Sequence, residues 1–403
     1  MFRMFSISNL RSDCIPVIDE FEFVFYKCIR AEYYAKRFLE YVGDVFPVGD
    51  APLVTPFIPR KATNFDQQFT CIVSGLKEVY TKDLTRETMV ELVQSEFEAT
   101  EYHENVAAIG LETFHFKTKQ YAPNVFCRLH RFWNLTAETI MSEWDIPALQ
   151  VQASSRENFD ENGHPTSSQL PSATGRFLME TIKQQDVHNI ILLLPNYTKY
   201  VLSRPDVCLS KFVGLFKFTL NMLNTIYVII TINPEYCSEK LPIVFSTERV
   251  YTLQGVQLAQ PPIPPLMRDG SFPKFYFDKN RERTFALGDC KDTIIELIKS
   301  DVEFLKSNSI ILYNLIIFTG RISTEIPAEE IQKSRFGLVP SDLVPDEWVL
   351  FGCVNSLWKR YGKYEQLTSL PVLFLKKAES VSITDPNFYG DRFIHMADKL
   401  LTH

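Results

Sequence analysis

Asp391 and His395 stand one helical turn apart in the tail segment DPNFYGDRFIHM. At that spacing a carboxylate can orient an imidazole that acts as a general base. Asn196 follows Leu194-Pro195 at the end of an apolar run, where a side-chain amide can donate to a developing oxyanion. Asn233-Pro234 closes a second such run. Cys290, in Leu287-Gly288-Asp289-Cys290, precedes a helical stretch, and a thiol at a helix N-terminus is a candidate nucleophile. The plainer reading of Cys290 is a buried thiol beside a cap formed by Asp289 or Asp292. His103, His115 and His130 occur near Glu104, Glu112 and Cys127 at spacings that match no zinc pattern. No metal is expected. With only 15 glycines, no phosphate cradle of closely spaced glycines is expected either, and no cofactor.

These residues need a framework. Four short apolar runs supply one: 189–194 (NIILLL), 226–233 (IYVIITIN), 310–319 (IILYNLIIFT) and 370–375 (LPVLFL). A strand apolar on both faces must be covered on both, which points to a largely parallel sheet between helices. The spacing predicts helices over 176–184, 209–223, 291–306 and 348–367, each leading into a run, and a closing helix over 391–401. Upstream, 31–41 and 85–100 have helical spacing, Thr85 being an N-cap, and 105–111 reads as a strand. The polar stretch 153–175 reads as a linker or surface loop. The expected organisation is an α+β portion over 1–152, then an α/β three-layer sandwich over 176–403 with an irregular insertion at 237–289. The N-terminal portion either supplies the first strand of the sandwich or packs as a smaller subdomain.

The order Gly49-Asp50-Ala51, Asn196, Asp391 and His395 resembles the SGNH or GDSL-type hydrolases. That resemblance implies an α/β/α sandwich, an Asn contribution to an oxyanion hole and an Asp-His pair near the C-terminus. Ala51 stands where the family has its nucleophilic serine, Tyr197 where it commonly has Asp, and three residues rather than two separate Asp391 from His395. An alanine cannot attack a carbonyl. The resemblance therefore implies a pseudoenzyme: a non-catalytic binding or scaffold subunit. An active esterase using Cys290 with His395 is the alternative, and an RNA-binding or RNA-processing factor using 279–283 (KNRER) the second.

Composition bounds the rest. Hydrophobic residues make up 45% and charged residues 23% of 403, an ordinary globular balance. The net charge of −7 argues against a broad nucleic-acid surface. Eight evenly spread cysteines with no C-x-x-C suit a reduced, intracellular protein. The N-terminus carries no signal-peptide pattern and no run is long enough to span a bilayer. The expected location is the cytoplasm or nucleus, without membrane contact. Protein partners are expected, through Pro261–Pro265 as a polyproline II segment or through exposed aromatics.

Overall fold

The computed structural model describes residues 64–86, 92–109, 112–144, 156–159, 165–204, 206–220, 225–236, 244–254, 284–323, 336–341, 345–362 and 383–403, with 327, 329 and 331. The expected features at 31–41, 45–58 (with Ala51), 261–265, 279–283 and 370–375 lie outside them.

Alternation in the sequence builds the central strands. In β6 (Phe212–Thr219) six of eight positions are buried and in β7 (Thr225–Ile232) five of eight, and the two pair antiparallel. They sit in a seven-stranded sheet of order β1-β2-β6-β7-β5-β4-β3. Its other members are β1 (Thr100–Ile109), β2 (Glu112–Tyr121), β3 (Arg156–Phe159), β4 (Pro165–Pro171) and β5 (Phe177–Ile182). Every pairing in it is antiparallel.

One face of this sheet is covered by α1 (Asn64–Asp83) and α4 (Ala137–Ser142). Val73, Leu76, Val79 and Tyr80 pack there with Ile140, Phe177, Met179, Phe216, Phe218, Val228 and Ile230. The other face meets a larger core. It is shared with α2 (Gln94–Glu98), α3 (Pro123–Phe132), α5 (Gln184–Leu202), α6 (Lys291–Ser307) and α7 (Pro386–Leu400).

A second sheet of order β11-β12-β10-β8 joins this core. Its strands are β8 (Val244–Gln254), β10 (Asn314–Ser323), β11 (Leu338–Pro340) and β12 (Trp348–Asn355), again all antiparallel. Short strands β9 (Phe285–Ala286) and β13 (Leu401–Thr402) pair in parallel.

The expected parallel three-layer sandwich is therefore corrected to two antiparallel sheets sharing a helical core. Continuous burial records how many layers cover a strand, not the direction of its neighbours. The run 189–194 lies inside α5, whose buried positions Ile190, Leu193, Leu194, Tyr197 and Val201 repeat at helical spacing. The stretches 176–184 and 209–223, expected as helices, hold β5 and β6; 348–367 holds β12. The helix expected over 291–306 is α6. The closing helix starts earlier than expected, because Asp385 caps it by accepting the backbone N–H of Asn387 at 2.9 Å, with Pro386 following. Of 85–100, Gln94–Glu98 is helical and Thr100 opens β1, while 87–91 lie outside the described residues. Strands β3 and β4 fall within the polar stretch 153–175.

Candidate functional site

Two sheets that share one core leave a junction, and the polar groups buried in it are the candidates for function. Three structural links define it. First, β5 runs directly into α5. Phe177 and Met179 point into the core under α1, so alternation turns Leu178, Glu180 and Ile182 to the opposite face, where Ile182 packs on the shared core. Glu180 is a carboxylate only 7% exposed.

Second, the segment between α5 and β6 is stitched to both sides. The backbone N–H of Val354 on β12 donates to the Cys208 carbonyl at 2.7 Å, and Ser210 N–H returns to the Val354 carbonyl at 2.8 Å. The Ser210 hydroxyl donates to Asn355 Oδ1 at 2.7 Å. Tyr197 of α5 donates its hydroxyl to the Ser210 carbonyl at 2.8 Å and accepts the Phe212 N–H at 3.2 Å. Its ring stacks on Phe212 with centroids 4.6 Å apart. Burial pushes the Tyr197 phenol far above its ordinary range.

Asp301 on α6 completes the stitching. It accepts the Cys208 backbone N–H at 2.7 Å and the Tyr200 hydroxyl at 2.8 Å. Burial raises its carboxyl to about 6, against the opposing pull of those two bonds and of Arg204. Tyr200 is itself pushed up to about 12 by burial. Asp186 at the start of α5 pairs with Lys359 at 2.8 Å, and Asn189 donates to the Trp358 carbonyl at 3.0 Å.

Third, the chain leaves β7 through Asn233, whose backbone N–H donates to the Arg176 carbonyl at 2.9 Å. Its side chain donates to the Gly175 carbonyl at 2.7 Å and accepts the Glu235 N–H at 3.1 Å. The Thr247 hydroxyl of β8 donates to the Glu235 carboxylate, so this connection bridges the sheets.

The residues singled out by sequence are placed differently. Asn196 is exposed on α5 and donates to Asn308 at 2.7 Å. Asp391 is exposed on α7 and pairs with Lys306 at 2.9 Å; His395 is exposed one turn on. Cys290 ends a short 3-10 turn ahead of α6, half-buried against the shared core. Asn233 alone belongs to the junction. The residues that sequence reasoning missed left one legible trace. Asp301 lies on the buried stripe of α6, three residues after Ile298 and four before Leu305, where an apolar side chain is the rule. Tyr197, Ser210 and Asn355 carry no such signal.

Comparison with known proteins shows what part of this chain is similar to. Residues 150–338 match the phosphatidylinositol-4-phosphate 5-kinase family. Phosphatidylinositol 5-phosphate 4-kinase type-2 alpha of Homo sapiens is 26% identical over 215 residues, covering 50% of this chain and 47% of the relative. The type-2 beta protein of Rattus norvegicus is 25% identical over 211 residues, covering 50% and 46%. The chain thus spans about half the length of the curated relatives it matches. The antiparallel sheets are consistent with this kinase resemblance, and together they overturn the SGNH or GDSL-type likeness. The pseudoenzyme reading falls with it, because it rested on Ala51 standing for a missing hydrolase serine. The scaffold, esterase and RNA-factor readings are replaced by similarity to lipid kinases.

Protein kinases carry a strand lysine that pairs the nucleotide phosphates and a glutamate of a helix. In this chain β5 leads to α5, and its buried residue on the face toward the shared core is Glu180. Magnesium in such sites is held by one or two carboxylates together with the nucleotide phosphates. Among the described residues no three His, Cys, Asp or Glu side chains converge as ligands for an ion. Nor is any helix among them long and apolar enough to cross a membrane.

Proposed function

We propose that this chain is a lipid kinase of the phosphatidylinositol phosphate class. It transfers a phosphoryl group from a nucleoside triphosphate to the inositol ring of a phosphorylated inositol lipid, at the cytoplasmic face of a membrane. The observation that carries the reading is the span of the family match. Residues 150–338 run unbroken from β3 through β5, α5, β6, β7, β8 and α6 to β10, so they include most of the junction between the sheets. The named activity of the relatives supports the substrate class.

Phosphoryl transfer asks the protein mainly for positioning and electrostatics. The stitching of Cys208, Ser210 and Tyr197 holds one wall of the junction, and Asn233 holds the connection that spans it. The test is direct. Purified protein, magnesium and radiolabelled ATP are incubated with soluble short-chain phosphatidylinositol 4-phosphate or 5-phosphate, and the lipid product is resolved by chromatography. A bisphosphorylated product is expected. No labelled product from either lipid across a range of enzyme concentrations overturns the proposal.

A further inference from the structure

Away from the junction, the core under α1 is apolar except where the C-terminal end of the helix meets β1 and β2. There His103 and Asn105 of β1 and Thr118 and Gln120 of β2 are buried, with His103 opposite Thr118 in the ladder. Asn105 donates to the Thr118 hydroxyl at 2.6 Å, and the Gln120 amide donates to Asp83 at 3.1 Å. Just past the helix, Arg86 donates to Asp83 at 2.8 Å and to both oxygens of Glu101 at 2.8 Å. The Lys82 ammonium lies 3.0 Å from His103 Nδ1. An ammonium offers only donors, so Nδ1 carries the lone pair and the ring proton sits on Nε2. Nε2 is buried without a hydrogen-bond partner. The seated ring is therefore neutral, and a second proton can enter only at Nδ1, against the ammonium.

The charges facing His103 come from two elements: Lys82, Asp83 and Glu78 of α1, and Glu101 of its own strand. Burial first, and then Lys82, hold the imidazole below the ordinary histidine value of 6.5, with the three acids opposing. Glu101 is held below its ordinary range by Arg86, so it keeps its charge while histidine titrates. Lys82 has an alternative partner in Glu78, 3.4 Å away, and its side chain is 52% exposed. A proton on His103 thus sends Lys82 outward and leaves a buried imidazolium whose Nε2–H meets no acceptor. We infer that His103 is a proton-operated latch: neutral, it seats the C-terminal end of α1 on the sheet edge, and protonated, it releases that end. What the latch covers is apolar, because Val79 and Tyr80 of the same helix end pack on Phe216 and its neighbours. The sign follows from linkage. A histidine whose folded value is depressed contributes stability present above its unfolded value and lost as pH falls through the folded one.

Hydrogen exchange of the full chain, read peptide by peptide and corrected for the intrinsic pH dependence of the rate, tests it. Between about pH 7.5 and pH 5.5 the amides at the C-terminal end of α1 should lose about tenfold in protection, the effect of one displaced pH unit. Those of α6, on the other core, should not lose protection over the same range. H103Q keeps a neutral side chain that accepts from Lys82 and does not titrate, so its α1 protection should stay level. K82M removes the opposing ammonium from a half-exposed position, which keeps the test open if H103Q does not fold, and its α1 should lose less protection than that of the wild type. An α1 that is equally protected at both pH values in the wild type overturns the inference. So does a loss shared by α6, which would report global unfolding, or a loss in H103Q or in K82M as large as in the wild type.

Discussion

The Asp301 carboxylate reaches from α6 to the backbone N–H of Cys208, 2.7 Å away, and so fixes the segment that joins α5 to β6. The carboxylate is 1% exposed. This one bond connects the helical layer under the second sheet to the chain entering the first.

Its titration has a definite sign. The folded-state value of about 6 lies above the ordinary carboxyl value of 3.8, with burial as the main cause. A raised carboxyl contributes stability that is full below the unfolded value and lost as pH rises through the folded one. The advantage of the wild-type protein over D301N should therefore shrink by up to about 3 kcal/mol between roughly pH 4 and pH 6, then level off. Thermal unfolding of both proteins across that range checks it, and a difference that grows with pH would refute the assignment.

Tyr197→Phe removes a hydroxyl that donates to the Ser210 carbonyl and accepts the Phe212 N–H. The ring and its stacking on Phe212 remain. The two buried backbone groups lose their side-chain partner, so the expected cost is about 1–3 kcal/mol. Urea unfolding, with the slope unchanged, is the appropriate measurement.

The Asp186–Lys359 pair should be lopsided. The Asp186 side chain is 7% exposed and that of Lys359 40%. Lys359→Met leaves a buried carboxylate facing no cation, whereas Asp186→Asn leaves a lysine that turns to water. The first substitution should destabilise more than the second, by about 1 kcal/mol or more. Equal losses would show that the pair is effectively solvated.

Gly320→Ala tests the second sheet. A Cβ at this position would lie 2.1 Å from the Ser246 carbonyl oxygen of the neighbouring strand, beside the irregularity in the β10–β8 register. Backbone cannot yield as a side chain can, so a loss of about 2 kcal/mol or more is expected. A melting temperature equal to wild type would contradict this geometry.

Glu180 bears on the kinase reading. Replacing a buried carboxylate by lysine reverses the charge that β5 turns toward the shared core. If nucleotide phosphates approach this face, Glu180→Lys should tighten nucleotide binding measured without magnesium, by about tenfold or more. Calorimetric titration with ATP reads this out, and an unchanged or weaker affinity would place the phosphates elsewhere.

Some of this protein was written locally in its chain. Ile294, Ile298, Val302 and Leu305 repeat at helical spacing, and α6 stands where that repeat lies. Asp385-Pro386 marks the start of α7 because capping chemistry is local. The apolar content of 226–233 likewise marked a buried strand. What the sequence could not carry was strand direction, because burial on both faces follows equally from helices over a parallel sheet and from two cores around an antiparallel one. Nor could local pattern tell the helix at 189–194 from a strand, because a short apolar run fits either; in the fold the run and Pro195 lie within α5. The junction was least legible of all. Tyr197 and Ser210 are 13 residues apart, but Asp301 is 93 residues from Cys208 and Asn355 145 from Ser210, so those partners meet only in the folded chain.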